Sequence, residues 1–176
     1  TNLATGSVTV NGTGAPLPLS FTVSQFEHVI GSAFADAITG NSTANSLSGG
    51  SGNDTLFGSS GNDTLNGGAD SDTANYSDLG TSVNLAAFGV LNKGTLGTDS
   101  LISIESIIGS SLLGDTVDHS GAISSPGIVA TGTSTNLATG SVTVNGTGAP
   151  LPLSFTVSQF EHVIGSAFAD AITGNS

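Results

Sequence analysis

Between residues 31 and 75 a glycine recurs at every ninth position. It opens five segments in a row: GSAFADAIT (31–39), GNSTANSLS (40–48), GGSGNDTLF (49–57), GSSGNDTLN (58–66) and GGADSDTAN (67–75). Position six is Asp36, Asn45, Asp54, Asp63 and Asp72, and position eight is Ile38, Leu47, Leu56, Leu65 and Ala74. Nine residues cannot enclose a core, so each segment must stack on the next to bury its apolar side chain. Glycine at this density removes any i, i+3, i+4 stripe and costs about 1 kcal/mol per residue relative to alanine in a helix. The segments are therefore expected to be short strands, anchored by position eight and joined by glycine turns.

A longer repeat encloses the short one. Residues 1–42 recur letter for letter at 135–176, an offset of 134. The chain is read as one tandem unit, 1–134, followed by the start of an identical unit, 135–176. Within the unit NLATG (2–6) is echoed by NLAAF (84–88), FEHVIGS (26–32) by IESIIGS (104–110), and DTANYS (72–77) by DTVDHS (115–120). These echoes define a long half, 1–81, which holds the nonapeptides, and a short half, 82–134. Val8 and Val10 alternate with polar residues, as do Leu17, Leu19, Phe21 and Val23, which predicts further strands. Asn11-Gly12 between these runs is a hairpin-type turn signal, and Pro16 and Pro18 place the second run at a sheet edge. Leu101, Ile102, Ile104, Ile107 and Ile108 are expected to play the matching part in the short half. With no Met in the chain and the repeat still running at Ser176, a window from a longer array is expected.

Composition narrows the function. There are thirteen acidic side chains, one basic side chain (Lys93) and a net charge of -12. Charged residues are 8% of the chain, against about 25% in ordinary domains. Phosphate recognition needs Lys and Arg, so no nucleic-acid partner is expected. No apolar run approaches the roughly 18–20 residues of a membrane-spanning helix, so no membrane insertion is expected. Cys is absent, which removes disulfides and thiolate chemistry. The apolar fraction of 36% and mean hydropathy of +0.23 are enough for a core. Something must still offset the entropy of 26 glycines and the mutual repulsion of the carboxylates.

The nonapeptide itself carries that chemistry. Its glycines allow a tight loop that turns carbonyl oxygens inward, and position six adds a carboxylate. An all-oxygen donor set suits calcium, a hard cation bound at about 2.3–2.6 Å; zinc would want His or Cys, which the nonapeptides lack. GGSGND also lacks the Lys-Ser/Thr and the helix of a phosphate-binding loop. GGSGNDTLF and GSSGNDTLN resemble the RTX, or haemolysin-type, calcium-binding repeats of secreted bacterial proteins, strongly over 49–75 and more weakly over 31–48. The resemblance implies an all-β fold, a parallel β-roll or solenoid with two nonapeptides per turn and Ca2+ between turns, here flanked by additional strands and hairpins. It implies two rows of ligands, Asp36, Asp54 and Asp72 in one and Asn45 and Asp63 in the other. Carbonyls near Gly49, Ser51, Gly58, Ser60, Gly67 and Ala69 would complete the shells. Asp70 replaces the fourth-position glycine and is either an extra ligand or a cap.

Other polar residues are read more plainly. Glu27, Glu105 and Glu161 are either turn acceptors or edge ligands. Asp115, Asp118 and Asp170 are further metal candidates. His28, His119 and His162 form no catalytic arrangement, and Lys93, in the turn-like NKG, is expected to be exposed. Asp99 and Asp78 are expected to matter little beside Asp54 and Asp63. No catalytic residues are expected and the chain is not read as an enzyme. It is read as a secreted, cell-surface structural repeat forming a fibre, sheath or surface-layer-like assembly with neighbouring copies of its own unit. The alternative is the stalk of a large secreted adhesin, with the tail of a secreted enzyme a weaker third.

Overall fold

A computed structural model describes residues 1–10, 19–86, 89–121, 129–147 and 153–175. Among these the fold is all-β; the one helical element is a 3-10 turn at Gly94–Leu96. The N-terminal strands β1 (Ser7–Val10) and β2 (Leu19–Thr22) pair antiparallel, with Ser7 opposite Thr22. The nonapeptides follow. β3 (His28–Ile30) leads directly into them, and they lay down β4 (Ala37–Thr39), β5 (Ser46–Ser51), β6 (Thr55–Phe57), β7 (Thr64–Ala69) and β8 (Thr73–Asn75). Successive strands enter two sheets in turn. β3, β5 and β7 stack in parallel with Val29, Leu47 and Leu65 in register. β4, β6 and β8 do the same with Ile38, Leu56 and Ala74. One turn of the roll is thus two nonapeptides, or eighteen residues, and position eight is the inward side chain of every rung.

The short half continues both stacks. β9 (Asn84–Ala86), β10 (Val90–Asn92) and β11 (Thr98–Ile102) form an antiparallel meander, and β11 lands in parallel on β7, Leu101 opposite Leu65. β12 (Ser106–Ile108) lands on β8, and β13 (Thr116–Asp118) lands on β9. The second copy repeats the plan in the other sheet. β14 (Val129–Asn136), β15 (Ser141–Thr147) and β16 (Leu153–Ser158) form the meander, and β16 lands on β12. β17 (His162–Ile164) then pairs β13, and β18 (Ala171–Thr173) pairs β14. The finished sheets run β17-β13-β9-β10-β11-β7-β5-β3 and β18-β14-β15-β16-β12-β8-β6-β4.

The core lies between the sheets and is a ladder of position-eight and equivalent residues. Ile38, Leu47, Leu56, Leu65, Ala74, Leu85, Leu91, Ile107, Val117 and Val142 are all buried, with Tyr76 and Phe160 beside them. Truncating one such Leu to Ala in a closed stack costs about 2–5 kcal/mol. The turn expected at Asn11-Gly12, with Pro16 and Pro18, lies outside the described residues. Its copy is informative: Asn145-Gly146 sits inside β15, opposite Gly132 and Ala130, where the ladder shifts register by a bulge. The dipeptide there continues the strand, which runs on to Thr147. A local turn preference is overridden by the ladder bonds of a longer strand.

Candidate metal centre

Because every rung takes nine residues, the connecting loops fall into two columns, one along each side of the roll. The first column contains the loops 31–36, 49–54 and 67–72, and the second the loops 40–45 and 58–63. In Asp54, Asp63 and Asp72 one carboxylate oxygen bonds the turn before it. Asp54 Oδ1 accepts from the Asp36 N–H and Asp72 Oδ1 from the Asp54 N–H, each at 2.8 Å. Asp63 Oδ1 accepts from the Asn45 N–H at 2.8 Å. Glu105 then continues the first column, taking the Asp72 N–H at 2.9 Å, and Asp99 continues the second, taking the Asp63 N–H at 2.9 Å. The spine of each column is thus a chain of charge-assisted hydrogen bonds.

The remaining position-six oxygens are used differently from loop to loop. In the loop 31–36, Asp36 Oδ2 accepts from the Ser32 N–H at 2.6 Å and the Ser32 hydroxyl at 2.8 Å. In the loop 40–45, Asn45 Oδ1 accepts from the Asn41 N–H at 2.7 Å. These two side chains cap their own loops. In the glycine-rich loops 49–54 and 67–72 no such bond forms: Asp54 Oδ2 and Asp72 Oδ2 are buried and have no hydrogen-bond partner among the described residues. Gly50 and Gly68, at position two, adopt φ of 115° and 112°, and Gly52, at position four, adopts 95°. That left-handed backbone is what glycine permits, and it turns the position-two N–H away from the carboxylate.

A buried carboxylate oxygen without a partner is expensive. Burial accordingly pushes the Asp54 and Asp72 carboxyls above their ordinary value, with neighbouring acids (Asp36 and Asp70 for Asp54; Asp54, Glu105 and Asp70 for Asp72) adding to the rise against the backbone hydrogen bonds that lower it. The space beside them is a cradle. A Cβ added to Gly49 would collide with Asp54 Oδ2 and lie 2.7 Å from the Gly67 carbonyl oxygen; one added to Gly67 would collide with Asp72 Oδ2 and the Ser103 carbonyl. Among the described residues no three His, Cys, Asp or Glu side chains converge on one point. A cation in this column would therefore be held by one or two carboxylates and by backbone carbonyls, an all-oxygen set that fits calcium. Asp54, Asp72 and the Gly49 and Gly67 carbonyls would hold it, and the ion would neutralise the two orphaned oxygens and tie adjacent turns together.

The remaining candidates divide. Asp36 and Asn45 stand in their columns but cap their own loops. Asp70 takes a φ of 79° at the position of the missing glycine, and its Oδ2 accepts from the Gly52 N–H at 3.0 Å. Ser51 and Ala69 face each other across β5 and β7. Gly58 is buried against the second column, its carbonyl 3.3 Å from where a Gly40 Cβ would stand, and Ser60 lies near the surface of the same loop. Asp115 accepts from the Val83 N–H at 2.8 Å, Glu161 from the Asp115 N–H at 2.9 Å, and Asp118 from the Ser120 N–H at 2.8 Å. Burial works to raise Asp170, yet hydrogen bonds from Thr133 and Ser166 hold it down to about 2. These side chains act as loop and turn acceptors.

Two expectations are corrected. Lys93 is not exposed: it is fully buried, and its ammonium lies 3.1 Å from Asp63 Oδ2, against Asp99 Oδ1, and 2.7 Å from the Ser59 carbonyl. Asp99 is not peripheral, since it is 1% exposed and also receives the Tyr76 hydroxyl at 2.9 Å. A signal for Asp99 was present, because it follows Asp63 by thirty-six residues, two turns of the roll. His119 is buried, with Nε2 2.7 Å from the Thr135 hydroxyl, and burial lowers its pKa; His28 and His162 are exposed.

The family model described as RTX calcium-binding nonapeptide repeat (4 copies) matches residues 26–50 and 39–74. A search of curated proteins finds no match. The glycine-rich rungs of this roll are RTX calcium-binding repeats, a kind typical of secreted bacterial proteins. No helix among the described residues is long and apolar enough to cross a membrane.

Proposed function

We propose that the chain is a calcium-stabilised structural repeat, secreted to the cell surface, whose units join end to end into one continuous fibre, sheath or layer, and that it has no enzymatic role. The supporting observation is the use of opposite strand edges by identical sequence. In the first copy the Glu27 carbonyl and the Gly31 N–H bond β5. In the second copy the His162 N–H and the Ile164 carbonyl, equivalent to His28 and Ile30, bond Asp115 and His119, the residues that flank β13. Adjacent residues of a strand aim their peptide groups at opposite edges. One such segment therefore has room for β13 of a preceding unit and β5 of its own.

Side-chain burial agrees. Phe26 is 54% exposed while its copy Phe160 is 3% exposed; Ile38 is 1% exposed while its copy Ile172 is 50% exposed. Each copy covers the face that the other leaves open. Asn2 even bridges Thr39 in parallel, the register that Asn136 and Thr173 hold in the second copy. In an array both faces would be buried at once, and stability would then depend on nearest-neighbour contacts.

Melting of chains of one, two and three 134-residue units in calcium, with electron microscopy of the longest, tests this. Rising melting temperature and thin filaments are expected. Identical melting of all three would mean independent beads.

A further inference from the structure

The two columns differ in where their cation comes from. The first holds Asp36, Asp54, Asp72 and Glu105, with no basic side chain among their hydrogen-bond partners. The second holds Asn45, Asp63 and Asp99, and it encloses Lys93, the only Lys or Arg in the chain. Asp54 and Asp63 occupy the same repeat position and both spend Oδ1 on the preceding turn. Their Oδ2 atoms diverge: that of Asp54 has no partner, and that of Asp63 faces the Lys93 ammonium at 3.1 Å. An ammonium has three donors, and here all three are matched, by Asp63, Asp99 and the Ser59 carbonyl. The donor set is two carboxylates and one carbonyl from adjacent turns, all oxygen, which is the chemistry of a calcium site.

We infer that Lys93 is a built-in cation that takes the place of calcium between the Asp63 and Asp99 turns, so that the second column closes without metal and calcium loading is confined to the first. The inference rests on the calcium reading of the repeats. The meander of β9, β10 and β11 delivers the side chain: Lys93 sits directly after β10, and β11 brings Asp99 back beside Asp63. Asn45 fits the same logic, since a neutral, self-capped side chain needs no ion on the turn before.

The test compares the full chain with Lys93→Ala. Removing the ammonium leaves two buried carboxylates and room for an ion. Calcium stoichiometry by equilibrium dialysis is expected to rise by one ion per chain. Calcium is expected to raise the variant's Tm more than that of the parent. A local probe comes from Tyr76, the sole tyrosine in a chain without tryptophan, whose hydroxyl bonds Asp99. Terbium should give several-fold more tyrosine-sensitised emission in the variant. Lys93→Met, which retains most of the apolar stem, answers the same question if the alanine variant does not fold. Equal stoichiometry and equal emission in parent and variants, with the parent binding calcium, would overturn the role of Lys93 and leave the repeats as calcium sites. A parent that binds none beside a variant that binds one would uphold Lys93 and overturn the first column. No binding in either would overturn both.

Discussion

The loops 49–54 and 67–72 and the loops 31–36 and 40–45 belong to the same nonapeptide series, yet they handle the position-six side chain in opposite ways. With Ser32 or Asn41 at position two, the backbone N–H turns inward and position six caps its own loop. With Gly50 or Gly68 there, the backbone takes positive φ and the Asp oxygen is left bare. Ser59, at the same position in the loop 58–63, also takes a positive φ (54°), and there Asp63 Oδ2 meets Lys93 rather than its own loop, so backbone conformation at position two, not the side chain alone, separates self-capped rungs from open ones. The capped loops recur beyond the nonapeptides, where Ser110 and Ser166 donate to Asp115 and Asp170.

Calcium withdrawal should separate the two loop types most strongly. Saturation at 100 times Kd contributes about 2.7 kcal/mol, and it should be lost first from the open loops. Hydrogen exchange in chelator is expected to deprotect the loops 49–54 and 67–72 well before 31–36 and 40–45; equal loss across both would erase the distinction. Gly49→Ala places a Cβ against Asp54 Oδ2 and the Gly67 carbonyl. It should cost about 1–3 kcal/mol as overpacking and lower calcium occupancy, read by chemical denaturation and dialysis together.

Charge removal sharpens the contrast further. Asp54→Asn should reduce calcium binding yet raise Tm in chelator, because an unpartnered buried charge disappears. Asp36→Asn should leave calcium binding nearly unchanged, with a loss of about 1 kcal/mol at most from a weaker cap. Matched effects at both positions would show that general charge, not loop type, governs the roll.

The pH dependence is the smallest effect and has a definite sign. Folding raises the Asp54 and Asp72 carboxyls above 3.8, chiefly through burial, and raises Asp63 to about 6, where burial and Asp99 outweigh the Asn45 N–H and Lys93. A raised acid binds its proton more tightly in the folded state. Its contribution is complete below about pH 4 and is lost as pH climbs through the folded value. His119, buried with a lowered pKa, acts in the opposite sense between pH 5 and 7, so the prediction is made in a His119→Gln background, where calcium-free protein should melt at lower temperature at pH 7 than at pH 5. Calcium should flatten or reverse the trend, since it competes with the proton at Asp54 and Asp72. A calcium-free Tm of the His119→Gln variant that rises over this interval would contradict the assigned burial of these carboxyls.

The roll was legible in the sequence because it follows from a period. Nine residues per rung place Ile38, Leu47, Leu56, Leu65 and Ala74 inward and put Asp54 and Asp72 one turn apart, whatever surrounds them. The limits of that reading are equally local. Asn145-Gly146 has a strong turn preference, but a ladder of seven partners along β15 holds it extended. Lys93 looked like an exposed loop residue because nothing in its neighbours names a partner thirty residues away.

Periodicity and composition by themselves determined the rungs, the inward residue of each, the all-oxygen donor set and the excess of acid that a cation must balance. All of these depend on spacings of nine or eighteen residues, and a regular stack turns such spacings directly into contacts. The tertiary structure alone decided which carboxylate meets which counter-charge. The meander of β9, β10 and β11 interrupts the period, and its length and landing point place Lys93 between Asp63 and Asp99. Whether an oxygen is capped, orphaned or paired with an ammonium is set by which chains cross that point, a long-range fact no single repeat contains.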